Sequence, residues 1–210
     1  MRDRVSTKLG PRFATLDRLV ELKFADVARA IRAATRRLTT GDDGTVVVPG
    51  RDDEVSGELH RLVDHAIEEQ FARYPPMGSE FRYLVTLLRV VPELERSADL
   101  VDLIAQRAYL SVDLPPSVVD AFVEMGRQAA SMWELAGAAW ATVDPGAAAR
   151  LDESDDGMDL LTAGLPVILA RERVPTRTAI ELTLVARFYE RLADHAVHIA
   201  SRIRWMAEGT

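Results

Sequence analysis

Hydrophobic side chains recur every three or four positions through most of this chain, which is the spacing of one face of an α-helix. The first stretch of this kind contains Phe13, Leu16, Leu19, Val20, Phe24, Val27, Ile31 and Ala34. The same pattern predicts helices over about residues 13–38, 52–73, 80–110, 117–144, 147–171 and 176–207. We therefore predict an all-α protein.

Proline and glycine separate the predicted helices. Residues 41–44 read Gly-Asp-Asp-Gly, and two pairs of adjacent prolines occupy residues 75–76 and 115–116. Residues 45–48 read Thr-Val-Val-Val and favour a strand, but no partner strand is evident, so we predict an extended loop. Two further prolines lie inside the third and fifth predicted helices, where we expect kinks: Pro92 and Pro166.

The chain repeats itself after 95 residues. Residues 95–99 read Glu-Arg-Ser-Ala-Asp, and residues 190–194 read Glu-Arg-Leu-Ala-Asp. Identical residues also pair further along: Ile104 with Ile199, Ala105 with Ala200, and Arg107 with Arg202. A repeat at this spacing indicates two copies of one structural unit. We predict two tandem, pseudo-symmetric three-helix bundles, with residues 1–114 as the first repeat and residues 115–210 as the second.

Pairs of metal-ligating side chains four residues apart recur in both repeats. On a helix such residues lie on one face, where two acids repel each other unless a cation compensates them. Four carboxylate or imidazole donors where two antiparallel helices meet suit a hard or borderline divalent cation. We predict one metal site in each repeat, the first from His60, Asp64, Glu95 and Asp99, the second from Asp155, Asp159, Glu190 and Asp194. His198, one turn beyond Asp194, would extend the second set.

The alternative is that these are ordinary surface residues, because charged side chains make up 28% of the chain. Recurrence in register in both repeats favours the metal sites. His198 has its own alternative as an exposed or hydrogen-bonded histidine. His65 and His195 lie on other helical faces and receive no role. Trp133 and Trp140, seven residues apart, are expected in the core or in an interface.

The composition of the chain argues against several classes of function. The net charge of −7 argues against broad binding to nucleic acid or to an anionic membrane surface. The chain has no cysteine, which excludes thiol catalysis and cysteine-ligated metal centres. No apolar stretch is long enough to span a bilayer and no signal peptide is evident, so we expect a cytoplasmic protein without direct membrane insertion. No phosphate-binding loop, dinucleotide fingerprint or nucleophile elbow is present, so we expect no enzymatic activity.

The repeated motif resembles a known family. Residues 190–200 read Glu-Arg-Leu-Ala-Asp-His-Ala-Val-His-Ile-Ala and are similar to the signature ERIGDHAVNIA of the PhoU family. Residues 94–99, followed by Ile104 and Ala105, look like the first copy. Residues 80–82 stand where the family has Asp-Leu-Arg, and the resemblance covers most of the chain.

This resemblance implies a function that the residues alone do not. PhoU-like proteins are tandem three-helix bundles whose acidic motifs bind metal ions, here iron, zinc, manganese or magnesium as candidate divalent or trivalent ions. The family regulates phosphate uptake and phosphate homeostasis in the cytoplasm. It acts between the ATPase subunit of a phosphate ABC transporter and a membrane sensor histidine kinase, and homodimers are common. The resemblance thus implies a metal-binding regulator of phosphate-starvation signalling.

The sequence also departs from the family pattern. Ala98 and Ala193 replace the motif glycine, Leu103 and His198 replace the usual asparagine, and His60 replaces an acid. If only one site binds metal tightly, we predict that it is the second. Two alternatives stay open: an accessory protein of another phosphate or metal transporter, and a metal-dependent hydrolase or metal-storage bundle.

Overall fold

The computed structural model describes the backbone of residues 13–41, 54–73 and 77–209. Within these ranges the chain forms no strand. Its helices are α1 (Ala14–Thr40), α2 (Glu54–Arg73), α3 (Gly78–Ala105), a 3₁₀ helix (Ala108–Ser111), α4 (Pro116–Thr142), α5 (Ala147–Arg171) and α6 (Thr176–Glu208). The predicted all-α fold class is confirmed. The extended loop predicted at residues 45–48 lies outside the described residues.

The third helix ends earlier than predicted. The amide of Gln106 donates to the Asp102 carbonyl oxygen, and the amide of Leu110 then donates to the Arg107 carbonyl oxygen, both at 2.9 Å. The second bond spans three residues instead of four, so the chain tightens into the 3₁₀ helix, which packs against α1 and buries Leu110. The predicted continuation to residue 110 was wrong because hydrophobic spacing over one turn does not distinguish the two kinds of helix.

The helices pack as two bundles joined side by side. In the first, α1, α2 and α3 contact one another, and in the second, α4, α5 and α6 do the same. The bundles meet where α1 packs against α4 and where α3 packs against α6. These contacts pair equivalent helices of the two repeats, as the pseudo-symmetric fold requires. The division of the chain at residues 114 and 115 stays a prediction.

One continuous core runs through both bundles. Its centre is aromatic: the rings of Phe24 and Trp133 lie 5.9 Å apart, and those of Tyr83 and Trp140 lie 6.0 Å apart. The indole Nε1 of Trp133 donates to the Leu192 carbonyl oxygen at 2.9 Å, which satisfies its polar group inside the core. The expectation that both tryptophans are core residues is confirmed.

A glycine sets the distance between α1 and α4. A Cβ atom added to Gly126 would lie only 2.8 Å from the Cβ atom of Thr35 on α1. The Thr35 hydroxyl donates to the Ile31 carbonyl oxygen and lies 2.7 Å from the hydroxyl of Tyr189 on α6. The two bundles therefore meet through close backbone approach and a buried hydroxyl pair.

Candidate functional site

The second predicted acid set lies where α5 packs against α6. Asp155 and Asp159 come from α5, and Asp194 comes from α6. The Asp155 side chain is half-buried, and its Oδ1 atom has no hydrogen-bond partner among the described residues. Burial, followed by the negative charges of Asp194 and Asp159, raises the pKa of Asp155 to about 6. The structure therefore brings these three carboxylates into one electrostatic cluster.

The fourth member of this set, Glu190, is already engaged by an arginine. Arg187, one turn earlier on α6, donates to the Oε1 atom of Glu190. Asp194 and Asp159 also act electrostatically on Arg187 and contribute to raising its pKa. An exposed guanidinium of the chain itself thus compensates part of the negative charge at the contact between α5 and α6.

The first predicted set lies where α2 packs against α3, and it is looser. The Nδ1 atom of His60 lies 3.0 Å from the Oε1 atom of Glu95, so these two side chains meet across the helix contact. Asp64 and Asp99 are both exposed. Neither forms an ion pair with another residue that the structure describes. The structure therefore joins two of these four residues and leaves two in solvent.

Neither set converges on one point. Among the side chains that the structure describes, no three of histidine, aspartate or glutamate are grouped so that they could hold one metal ion. The metal-binding role of the nine residues selected from the sequence therefore stays a prediction. What the second set does provide is one half-buried carboxylate, Asp155, whose pKa the nearby Asp194 and Asp159 help to raise, and a hard cation stabilises such a group of oxygen donors.

His198 lies away from this cluster. It is exposed and lines a groove between α3 and α6, beside Glu93 and Arg202. Helical spacing placed it in a row with Glu190 and Asp194, but the structure positions its side chain toward the first repeat. Its predicted role as a ligand stays a prediction.

His195 received no role in the sequence analysis, and the structure places it buried at the contact between the repeats. Its Nδ1 atom lies 2.8 Å from the Ser97 hydroxyl, and its Nε2 atom lies 3.5 Å from the Oε2 atom of Glu93. Burial is the main cause that lowers the pKa of His195, and the nearby charge of Glu93 opposes it. A signal existed: His195 lies three residues after Leu192 and four before Ile199, on the apolar face of α6.

The buried centre of the contact between α3 and α6 is polar on one side and apolar on the other. Ser97 and His195 occupy one side, and the 95-residue shift maps them onto Leu192 and Leu100, which are also buried. Glu93 belongs to the polar side, where its Oε2 atom is buried without a hydrogen bond among the described residues. The two halves of this pseudo-symmetric contact therefore differ in chemistry.

None of the helices within the described ranges is both long and apolar enough to cross a bilayer.

Comparisons with known proteins agree with the repeat and with the fold. A family model described as the PhoU domain matches residues 24–108 and again residues 122–203. The phosphate-specific transport system accessory protein PhoU homolog 1 of Mycobacterium tuberculosis is 31% identical over 185 residues, which cover 86% of this chain and 84% of that protein. Homolog 2 of the same organism is 32% identical over 185 residues, covering 86% and 87%.

A solved structure extends the likeness to three dimensions. The crystal structure of PhoU from Pseudomonas aeruginosa has a TM-score of 0.69 at 21% sequence identity and covers 95% of each chain. At this identity the match supports the fold alone. The family model covers both repeats, so the resemblance read from the repeated motif is confirmed, and the chain belongs to the PhoU domain family.

Proposed function

We propose that this protein is a metal-binding regulator of phosphate uptake and of phosphate-starvation signalling. Membership of the PhoU family supports this role, as do the names of the two mycobacterial relatives, which describe accessory proteins of a phosphate-specific transport system. We infer a regulatory and non-enzymatic role in the cytoplasm. The protein would act through contacts with a transporter rather than by turning over a substrate.

The observation that best supports a metal site is the environment of the Asp155 carboxylate. The carboxylate is half-buried, its Oδ1 atom has no partner among the described residues, and Asp159 and Asp194 add negative charge beside it. A bound cation would compensate all three charges at once. With Glu190 these residues supply the oxygen ligands that manganese, magnesium or iron accepts, and zinc accepts a smaller set of them.

The metal would have a structural role. Its ligands come from α5 and α6, so binding would tie these helices together and stabilise the second bundle. To complete the set, Glu190 would exchange Arg187 for the metal. At the first site, His60, Asp64, Glu95 and Asp99 would form the equivalent set. There a metal would replace the contact between His60 and Glu95 and order two exposed aspartates, so we expect weaker binding.

Metal content tests this proposal. Protein purified without added metal is analysed for bound elements, and again after EDTA treatment and reloading with manganese, iron or zinc. The double substitution Glu190→Ala and Asp194→Ala should remove one ion per chain. Glu153→Gln, an exposed acid on α5, serves as the control and should leave the metal content unchanged. Unchanged stoichiometry in the double variant defeats the assignment of the second site.

We further propose that the protein partners are the ATPase subunit of a phosphate ABC transporter and a membrane sensor histidine kinase, and that the protein forms a homodimer. The test is a pull-down of each purified partner at high and at low phosphate, with the molar mass of the free protein measured by light scattering. Retention of both partners and a dimer mass support the proposal. Absence of retention at both phosphate levels would remove the transporter and kinase from the mechanism.

A further inference from the structure

A groove opens between α3 and α6, on the polar side of their contact. Its volume is about 460 Å³, inside the range of about 300–1,000 Å³ of small-molecule pockets. Polar side chains line it from both helices: Arg89, Glu93 and Arg96 from α3, and His198 and Arg202 from α6. Apart from His198, no residue of the predicted metal sites belongs to its lining.

Positive charge exceeds negative charge in this groove. Three guanidinium groups line it together with one carboxylate, Glu93, whose Oε1 atom accepts a hydrogen bond from Arg96 at 3.2 Å. Neither Arg89 nor Arg202 forms an ion pair with any acid in the part of the chain that the structure describes. This local surplus lies on a protein whose net charge is −7, so it is not a consequence of a basic composition.

The other repeat shows an equivalent arginine with its charge compensated. The Nε atom of Arg107 lies 3.2 Å from the Oε2 atom of Glu181, and its guanidinium carbon lies 5.0 Å from the centre of the Phe188 ring. The 95-residue shift maps these three residues onto Arg202, Thr86 and Glu93. Because Thr86 occupies the position equivalent to Glu181, Arg202 lacks the carboxylate that compensates the charge of Arg107.

We propose that this groove binds a phosphate-class oxyanion, either orthophosphate or the phosphate group of a monoester. Guanidinium groups bind such oxyanions through paired, charge-assisted hydrogen bonds. Arg89 and Arg202 approach from different helices and form no ion pair with an acid among the described residues, so they are the principal donors, and Arg96 is the third. Three arginines and one glutamate leave two net positive charges, which match a dianion.

Glu93 gives the groove a reason to prefer phosphate over sulfate. A carboxylate accepts a hydrogen bond but repels an anion that has no proton to donate. The orthophosphate dianion carries one O–H group near neutral pH, whereas sulfate and the dianion of a monoester carry none. Glu93 therefore selects a protonated oxyanion, while the arginines supply the attraction.

This inference goes beyond the proposed function, because it gives the regulator a direct ligand. It rests on the groove alone and does not depend on metal or on a protein partner. If phosphate does not bind, the proposed metal sites and protein partners are unaffected. If the metal or partner experiments fail, the proposed phosphate site in the groove is unaffected. Because the groove joins one helix of each repeat, a ligand there would bridge the two bundles.

Direct binding tests the proposal. Isothermal titration calorimetry of the full chain is performed at about pH 8 with sodium phosphate, once in EDTA and once with manganese added. Arg89→Gln and Arg202→Gln should each weaken phosphate binding about tenfold or more, since each removes a charge-assisted contact. Arg204→Gln makes the same charge change on an exposed position of α6 outside the groove and should change the affinity less than about twofold.

Two results would overturn the proposal that this groove binds phosphate. The first is absence of saturable phosphate binding, or binding that occurs only with manganese present, which would assign the phosphate to a metal. The second is an equal loss in Arg204→Gln and in the groove variants, which would show a diffuse charge effect. Circular dichroism melting curves confirm that each variant is folded at the temperature of the titration.

Specificity is tested with sulfate and with a nucleoside monophosphate. Wild-type protein should bind phosphate about tenfold more tightly than sulfate, and Glu93→Gln should reduce that ratio to below about threefold. Equal binding of both anions to the wild type would overturn the assignment to phosphate. Orthophosphate should also bind more tightly than the monoester, because the monoester dianion has no O–H group to donate to Glu93 at this pH. Tighter binding of the monoester would overturn this role of Glu93 and would identify the ligand as an ester.

Discussion

Ser97 accepts a hydrogen bond from His195 across the contact between the two repeats, with 2.8 Å between the hydroxyl oxygen and Nδ1. The Ser97 hydroxyl donates its own proton to the Glu93 carbonyl oxygen at 2.7 Å, so its oxygen is available as the acceptor. Both side chains are buried. Ser97→Ala should therefore lower the free energy of unfolding by about 1–3 kcal/mol, because it leaves a buried imidazole N–H without a partner. Urea denaturation measures this change.

The matched control is Ser131→Ala, an exposed serine on α4, which should change stability by less than about 0.5 kcal/mol. A second comparison is sharper. The double variant Ser97→Ala with His195→Leu should be more stable than Ser97→Ala alone, because the stranded imidazole is then absent. If the double variant instead loses as much free energy of unfolding as Ser97→Ala and His195→Leu lose together, the two side chains do not form a hydrogen-bonded pair.

Gly126 and Gly164 should respond to alanine in opposite directions. At Gly126 the added methyl would overlap the Thr35 side chain and push α1 away from α4, so Gly126→Ala should cost about 1–3 kcal/mol. At Gly164, inside α5, nothing lies within 4 Å of the added atom. Gly164→Ala should stabilise the protein by about 0.5–1 kcal/mol, because alanine loses less backbone entropy in a helix. Thermal melts of the two variants distinguish these signs.

Much of the fold followed from the sequence because the signals are local. Adjacent prolines, a glycine-rich stop and regular apolar spacing predict the six helices, and the 95-residue repeat predicts that equivalent helices pair. The end of α3 could not be predicted from the sequence. The choice between an α-helical and a 3₁₀ turn depends on the burial of Leu110 against α1, which is a tertiary contact.

The candidate site followed only in part. Spacing along a helix shows which residues share a face, and it selected Asp155 and Asp194, which the structure places close together. It does not show how two faces are turned toward each other. For that reason it added His198 to the second metal set in a row with Glu190 and Asp194, and it overlooked His195, whose contact with α3 depends on the crossing of two helices distant in sequence.

Arg107 and Arg202 are equivalent in the repeat but should differ in their contribution to stability. Arg107 donates to Glu181 and to the Leu103 carbonyl oxygen and lies over the Phe188 ring. Lysine keeps the charge but loses the planar group that makes these three contacts together. Arg107→Lys should cost about 1–2 kcal/mol, and Arg202→Lys less than about 0.5 kcal/mol. Chemical denaturation of the two variants tests this, and equal losses would contradict the difference between the two sides.

Asp155→Asn should stabilise the metal-free protein and abolish its response to metal. Without a cation, the Asp155 carboxylate is half-buried beside Asp159 and Asp194, and burial, followed by the repulsion from these two acids, raises its pKa to about 6. Asparagine removes that charge, so in EDTA at about pH 7.5 the variant should gain about 0.5 kcal/mol, a small value because solvent screens the partly exposed cluster. Manganese should raise the melting temperature of the wild type and leave that of the variant unchanged.

Glu153→Gln is the control for this pair of measurements, because it removes a negative charge from an exposed position of the same helix. It should leave both the metal-free stability and the manganese response close to those of the wild type. If Asp155→Asn instead destabilises the metal-free protein, the carboxylate has a structural partner in solution and the repulsion is not its dominant interaction. If manganese still stabilises Asp155→Asn to the same extent as the wild type, the ion binds elsewhere. The two measurements therefore separate the electrostatic argument, which concerns the empty cluster, from the assignment of Asp155 as a ligand.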